Sequence, residues 1–197
     1  SGNMQFDFTK ILNGLQVQLV VYMNAILELE GKKHPEKRMI PAGMFYFHVD
    51  DPVIAPKTDG EPEMEVLKNL QLRGVVNEDF GLVEHLEQED EYGIVTLPVT
   101  RTKTGYKKGS ALLSTNEFKN LGRKVEEKMK QLGEAMMDGD ISISPYEYQS
   151  MPCDYCAFKS ICAYEPKLMK SRKLEKIGLA EAKELLAEGK GEDDALD

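Results

Sequence analysis

The three cysteines of this chain lie within one ten-residue segment, at Cys153, Cys156 and Cys162. Their Cys-x2-Cys-x5-Cys spacing is typical of thiolate ligands to a metal, and an odd number of cysteines cannot all pair as disulfides. Iron–sulfur clusters are usually held by four cysteine thiolates, and structural zinc by four Cys or His ligands. The sequence therefore predicts a metal site that needs one further ligand from elsewhere.

Zinc is the competing metal, because a histidine could complete a set of three Cys and one His. The three histidines are His34, His48 and His85, and none of them lies in the cysteine segment. His48 falls within a predicted strand, and the other two lie in unrelated segments. We therefore expect each histidine to be structural or exposed, and the zinc alternative stays open.

Gln18 and Tyr22 are four residues apart in an apolar stretch, so they share one face of a predicted helix. A glutamine inside an apolar helix is costly to bury unless its amide is hydrogen-bonded. One interpretation is a partly exposed glutamine beside a core tyrosine. The other is that both side chains project towards a site where a phosphate or a catalytic residue must be positioned.

Four cations surround a predicted turn at Thr104-Gly105: Arg101, Lys103, Lys107 and Lys108. Such a basic turn can contact nucleic-acid phosphates, each neutralised phosphate adding to the salt dependence of binding. A solvated hairpin tip is the alternative interpretation, and the residues alone do not decide between the two.

Charge is segregated along the chain. Its net charge of −9 argues against a protein that coats nucleic acid with its whole surface, although a local basic path is compatible with it. With 197 residues, of which 41% are hydrophobic, one or two globular units are expected. No apolar run reaches the roughly 20 residues that span a bilayer, and no signal-peptide pattern is present. We expect a cytoplasmic protein without membrane contact.

Hydrophobic periodicity predicts the elements that carry these residues. It predicts one helix over residues 9–31 and a long helix from the N-cap Ser114 to residue 138. The apolar run Met44–Val49 predicts an internal strand with both faces covered. After Pro166 the pattern predicts a charged helix and then an acidic tail. Helices with few strands indicate an α/β class, rich in helix, with a small incomplete sheet.

The segment Gly14 to Tyr22 resembles the Gln-x-x-x-Tyr motif of RecB-like nucleases of the PD-(D/E)XK superfamily. The three cysteines resemble the C-terminal cysteines of its iron–sulfur members. With the strand Met44–Val49 between the two motifs and Pro152 before the first cysteine, the chain is most similar to the C-terminal nuclease domains of AddB-type subunits of helicase–nucleases. The resemblance implies a partial restriction-endonuclease-like fold.

The resemblance divides the chain into three segments. Residues 1–145 would be the distal part of the nuclease domain, 146–166 the iron–sulfur cysteine loop, and 167–197 a charged C-terminal helix with an acidic tail. It implies that Gln18 and Tyr22 support an active site. It also implies that the three cysteines bind a 4Fe–4S cluster whose fourth ligand lies upstream.

In that family the catalytic Asp-x-Lys lies immediately before a Ser/Gly-containing link to the Gln-x-x-x-Tyr helix. Because this sequence begins with Ser1-Gly2, we expect it to start just after the catalytic lysine. Phosphodiester hydrolysis needs carboxylates that hold Mg²⁺, so we expect the chain alone to be inactive. The resemblance implies DNA as the substrate, an AddA-type helicase–nuclease subunit and ATP as partners, and a role in double-strand break repair.

Two further expectations stay open. A non-catalytic interaction module that binds zinc or DNA is the alternative function. Loss of upstream strands would leave the Met44–Val49 strand with an open edge, through which we expect the protein to self-associate.

Overall fold

The computed structural model describes residues 6–47, 71–84, 86, 96–102, 105–107 and 110–187. Within these ranges the chain is a mixed α/β structure in which helices predominate over small sheets, so the expected class is confirmed. The helices are α1 (Phe8–Leu12), α2 (Gln18–Lys33), α3 (Phe80–Glu84), α4 (Thr115–Met137), α5 (Lys159–Cys162) and α6 (Leu179–Ala187). The strands are β1 (Gly43–Tyr46), β2 (Arg73–Asn77), β3 (Arg101–Thr102), β4 (Gly105–Tyr106), β5 (Leu112–Leu113), β6 (Tyr146–Glu147) and β7 (Arg172–Lys173).

The largest described sheet has the strand order β1-β2-β5. β1 runs antiparallel to β2, and β5 runs parallel to it. Asn77 ends β2 in a fully buried position, where its side-chain amide donates to the Pro41 carbonyl at 2.8 Å and to the Thr115 hydroxyl at 3.0 Å. These bonds satisfy a buried polar group and fix the start of α4 against the end of the sheet.

The long helix α4 organises the core. Its predicted N-cap is confirmed as a capping box, in which the Ser114 hydroxyl accepts from the Glu117 amide and the Glu117 carboxylate accepts from the Ser114 amide. Phe118, Leu121 and Val125 recur at helical spacing and are fully buried. This face contacts α1, α2, α6 and β5, so one helix joins most of the described elements.

α2 crosses α4 at close range. A Cβ atom at Gly122 would lie 2.4 Å from the side-chain oxygen of Asn24. The Asn24 amide donates to the Gly122 carbonyl at 3.2 Å. The absence of a side chain at Gly122 therefore sets how near the two helices can lie.

The single helix predicted over residues 9–31 is wrong, because the chain forms α1 and α2 with a break at Gly14. Gly14 has φ +81°, a left-handed conformation that residues with a Cβ atom rarely adopt. Gly31 does not end α2, which continues to Lys33. A glycine within a helix costs only about 1 kcal/mol relative to alanine, so it need not terminate one.

The strand predicted at Met44–Val49 is observed at Gly43–Tyr46, and its internal position is wrong for the described sheet. Among the described residues, β1 pairs with β2 alone and is an edge strand. Met44 is buried, but Phe47 is 55% exposed. Residues 48 and 49 lie outside the described residues. One-sided pairing leaves the second face of this apolar run without cover.

The charged helix predicted after Pro166 begins only at Leu179, and it packs into the core. Ala182 and Leu186 are fully buried among the residues that surround α4. The Asn120 amide donates to the Leu186 carbonyl at 2.7 Å. The Ile177 amide donates to the hydroxyl of buried Thr9 at 2.8 Å. The acidic residues 188–197 lie outside the described residues.

Leu186→Ala is expected to lower the free energy of unfolding by about 2–5 kcal/mol, because it opens a cavity where α6 meets the core. Leu168→Ala is the matched control, since Leu168 is 85% exposed, and it should change stability little. Urea denaturation measures both variants. Equal stabilities would contradict the packing of α6 as an integral part of the core.

Self-association through the open edge of β1 stays a prediction, since an unpaired strand edge can pair with another chain. Light scattering over a wide range of protein concentrations tests it. We expect the average mass to rise with concentration, and a strictly monomeric particle would count against this interface.

Candidate functional site

Gln18 and Tyr22 form a hydrogen-bonded pair on the outer face of α2. The Gln18 side-chain amide donates to the Tyr22 hydroxyl at 2.7 Å. Tyr22 is 54% exposed, so the interpretation of a core tyrosine is wrong. The buried residues Val20 and Met23 lie on the other side of the helix, and their packing turns the pair outward.

The motif face continues as an exposed apolar strip along α2. Ile26 and Leu29 follow Tyr22 at helical spacing, and both are exposed. A polar pair at one end and aliphatic side chains at the other give this face an amphipathic character. Such a face can orient a reacting group or contact another part of a larger protein.

The start of α2 is held on two sides. A Cβ atom at Gly14 would lie 3.2 Å from the Leu132 side chain of α4, so the turn before α2 packs closely on that helix. The Gln16 side chain hydrogen-bonds the Tyr46 hydroxyl at the end of β1. Burial raises the pKa of Tyr46, and the Gln16 hydrogen bond lowers it in part. The phenol of Tyr46 therefore stays neutral and joins the motif helix to the sheet.

The cysteines lie on a loop whose base is closed by a small parallel sheet. β6 and β7 pair in parallel, with Tyr146 opposite Arg172. The Arg172 guanidinium lies 3.9 Å from the ring centroid of Tyr146 and donates to the Ser144 carbonyl at 2.8 Å. The Ser171 hydroxyl donates to the Glu147 carboxylate at 2.7 Å. These contacts bring the two ends of the loop together without a metal.

The thiols are free and differ in exposure. Cys156 is exposed, whereas Cys153, in a 3-10 turn, and Cys162, at the end of α5, are half-buried. Within the described part of the chain, no group of three or more His, Cys, Asp or Glu side chains is placed to hold a metal. Thiolates suit iron or zinc, but here the three donors do not converge. Their role as ligands stays a prediction that requires the loop to close around the metal.

The histidines do not complete a site in the described structure. His34 caps the C-terminus of α2, and its ring nitrogen lies 3.6 Å from the Glu36 carboxylate. His48 and His85 lie outside the described residues. The described geometry therefore gives no support to a zinc site of three cysteines and His34.

The basic turn is a two-stranded antiparallel hairpin. β3 pairs with β4, and the Lys107 amide donates to the Thr100 carbonyl at 2.8 Å. Lys107 is exposed. Tyr106 is half-buried and packs edge-on against Phe80 at 5.6 Å, so its ring is part of a core cluster. The side chain of Arg101, and Lys103 and Lys108, lie outside the described residues, so the contact with phosphates stays a prediction.

None of the helices in the described ranges combines the length and apolar character that a membrane crossing requires.

The family model for the PD-(D/E)XK nuclease superfamily matches residues 1–163. The chain belongs to this nuclease superfamily. The matched range contains both the exposed Gln18–Tyr22 pair and the three cysteines. α6 lies beyond the match, although it packs into the core of the nuclease-superfamily domain.

The domain is similar to curated proteins that are named as AddB-type subunits of an ATP-dependent helicase/deoxyribonuclease. It is 37% identical over 172 residues to the protein of Caldanaerobacter subterraneus, covering 84% of this chain. Identity is 32% over 169 residues for Alkaliphilus oremlandii and 34% over 179 residues for Clostridium perfringens. The chain spans only 14–15% of the length of these relatives. The predicted resemblance to subunits of this type is confirmed.

Proposed function

We propose that this nuclease-superfamily domain is part of a helicase–deoxyribonuclease subunit that cleaves DNA phosphodiester bonds with Mg²⁺ during double-strand break repair. The observation that carries the proposal is the exposed Gln18–Tyr22 hydrogen bond on α2, within a chain that matches deoxyribonuclease subunits. Both side chains are donors that no buried structure uses, so they are available to orient a phosphate or a catalytic group.

The reaction needs groups that this sequence does not contain. Hydrolysis of a phosphodiester requires carboxylates to hold Mg²⁺ and charge stabilisation at the attacking and leaving oxygens. The 197-residue sequence has no Asp-x-Lys. We therefore propose that other residues of a longer subunit supply the carboxylates and the lysine. Gln18 and Tyr22 would position these groups, and the 197-residue protein would not cleave DNA by itself.

The three cysteines would act as ligands to a 4Fe–4S cluster, with a fourth thiolate from outside this sequence. Soft thiolate ligands favour iron–sulfur clusters, and the parallel pair β6–β7 already holds the loop ends together. A cluster bound there would tie the loop to a distant part of the subunit. That cross-link would restrict the unfolded chain more than a short loop closure does.

The proposed partners follow from the same assignment. They are DNA, an AddA-type helicase–nuclease subunit with ATP, and a cytoplasmic setting. The cations of the hairpin, Arg101, Lys103, Lys107 and Lys108, would contact the phosphates of the DNA. A second candidate function is a zinc-binding interaction module. It is favoured by the exposed aromatic side chains of the cysteine loop, where Tyr155 is 89% exposed.

Gln18→Ala and Tyr22→Phe in the full-length subunit, assembled with its partner, are expected to lower Mg²⁺-dependent DNA cleavage by about tenfold to a hundredfold. Loss of positioning has effects of that size. ATP hydrolysis should be unchanged. In the 197-residue protein both variants should keep the free energy of unfolding within about 0.5 kcal/mol, because the pair is exposed.

Glu28→Gln is the control on the same helix, because Glu28 is exposed and pairs only with the neighbouring Lys32. It should leave cleavage unchanged. Normal cleavage by the Gln18 and Tyr22 variants, or no cleavage by the unsubstituted full-length subunit, would refute the proposed function.

Replacing Cys153, Cys156 or Cys162 by Ser in the full-length subunit is expected to abolish iron binding, because each variant removes one thiolate from a four-ligand set. Iron and sulfide analysis after purification without oxygen, together with the visible absorbance, measures this. Ser160→Ala, in the same loop, should keep full iron content. Stoichiometric zinc without iron in the unsubstituted protein would favour the interaction module instead.

A further inference from the structure

An open groove of about 540 Å³ lies on the described surface, away from the Gln18–Tyr22 pair and the cysteines, none of which lines it. Its walls come from four segments: the start of α1, the first residues of β2, the turn after β6 and the approach to α6. Phe8, Val75 and Ile177 give it an apolar floor. The groove therefore combines distant parts of the chain around a surface that bases or other apolar groups could contact.

Cations outnumber free carboxylates at this groove. Arg73 and Lys176 line it from different segments. Lys10 lies close by, with its ammonium 6.0 Å from the ring centroid of Tyr148, another lining residue. Asp7 is the carboxylate of the lining, and it accepts hydrogen bonds from two amides at the start of α1, at 2.9 and 3.3 Å. The local potential is therefore positive in a chain whose net charge is −9.

Polar backbone and side-chain groups are accessible at the rim. Gln149 is exposed and adopts φ +61°, a left-handed conformation that is uncommon for a residue other than glycine. The Ser150 amide donates to the Tyr148 carbonyl at 2.7 Å and closes this turn. A Cβ atom at Gly178 would meet no atom within 4 Å, so the chain there faces open space.

The position of the groove links the two motif-bearing segments. α1 forms one wall and leads into α2, which carries Gln18 and Tyr22. Tyr148 and Gln149 form another wall and lead directly into the cysteine loop. A chain of phosphates that follows this groove would pass between the two parts of the proposed nuclease domain.

We propose that the groove binds the phosphodiester backbone of single-stranded DNA, an inference that rests on the proposed function. Arg73 matches phosphate oxygens with its planar guanidinium, and Lys176 adds a point charge. The Gln149 amide supplies a neutral donor of the kind that contacts phosphates without reading sequence. The apolar floor favours a single strand, whose unstacked bases expose surface that a duplex buries.

Fluorescence anisotropy of a short labelled oligothymidylate with the 197-residue protein tests the proposal. Lys176→Glu and Gly178→Asp are expected to weaken binding at least about tenfold. For each lost phosphate contact, the slope of log K against log salt should become shallower by about 0.7. Lys176→Arg should bind like the parent because it keeps the charge.

Gly178→Ser is the matched control for Gly178→Asp. Position 178 immediately precedes α6, where both Ser and Asp are favoured capping residues, so neither variant should lose stability. Only Asp adds negative charge to the groove. Lys119→Glu on α4 controls for charge reversal elsewhere, since Lys119 is exposed and does not line the groove.

Parent-like binding by Lys176→Glu and Gly178→Asp would overturn the proposal, as would loss of binding only when the hairpin residue Lys107 is changed. A groove that takes free phosphate would show inorganic phosphate raising the unfolding temperature without any oligothymidylate binding, which also contradicts it. Cleavage by the full-length subunit is a separate measurement, so the groove can fail while the nuclease assignment stands, and the reverse.

Discussion

Burial of one face of α4 is the constraint on which the rest of the described structure depends. Phe118, Leu121 and Val125 are almost fully buried, and each such side chain contributes about 1.5–3 kcal/mol relative to exposure. α1, α2 and α6 all pack on this helix. At Gly122 the contact with Asn24 is so close that even a methyl group would displace it. The direction in which α2 presents its outer face is therefore set by the core.

The two motif-bearing segments belong to the same body through this core. α2 carries the exposed Gln18–Tyr22 pair, and α1 precedes it. The cysteine loop returns through β7 to Ile177, whose amide is bonded to the buried Thr9 hydroxyl in α1. A buried hydrogen bond of this kind is costly to leave unmade, so it holds the loop base near the start of the motif helices. The arrangement supports positioning, while the groups that perform hydrolysis would come from a longer subunit.

Local signals in the sequence are sufficient where local interactions decide the structure. The capping box at Ser114 and the apolar periodicity of α4 are such signals, as is the shared face of Gln18 and Tyr22. The break at Gly14 escapes prediction because it depends on packing against Leu132, more than a hundred residues away. Burial of α6 escapes it because the charged residues of that helix outnumber the two that enter the core. The groove has no local signal at all, since four distant segments form it.

Native-state hydrogen exchange tests most directly the claim that one core unites both motif-bearing segments. The account predicts that the most protected amides of α2, α4 and α6 exchange with the same opening free energy, because these helices unfold as one cooperative unit. Exchange of α6 and of the Ile177 amide at a much lower opening free energy, while α2 and α4 stay protected, would contradict it. In that case the cysteine loop would not share a body with the Gln18–Tyr22 helix.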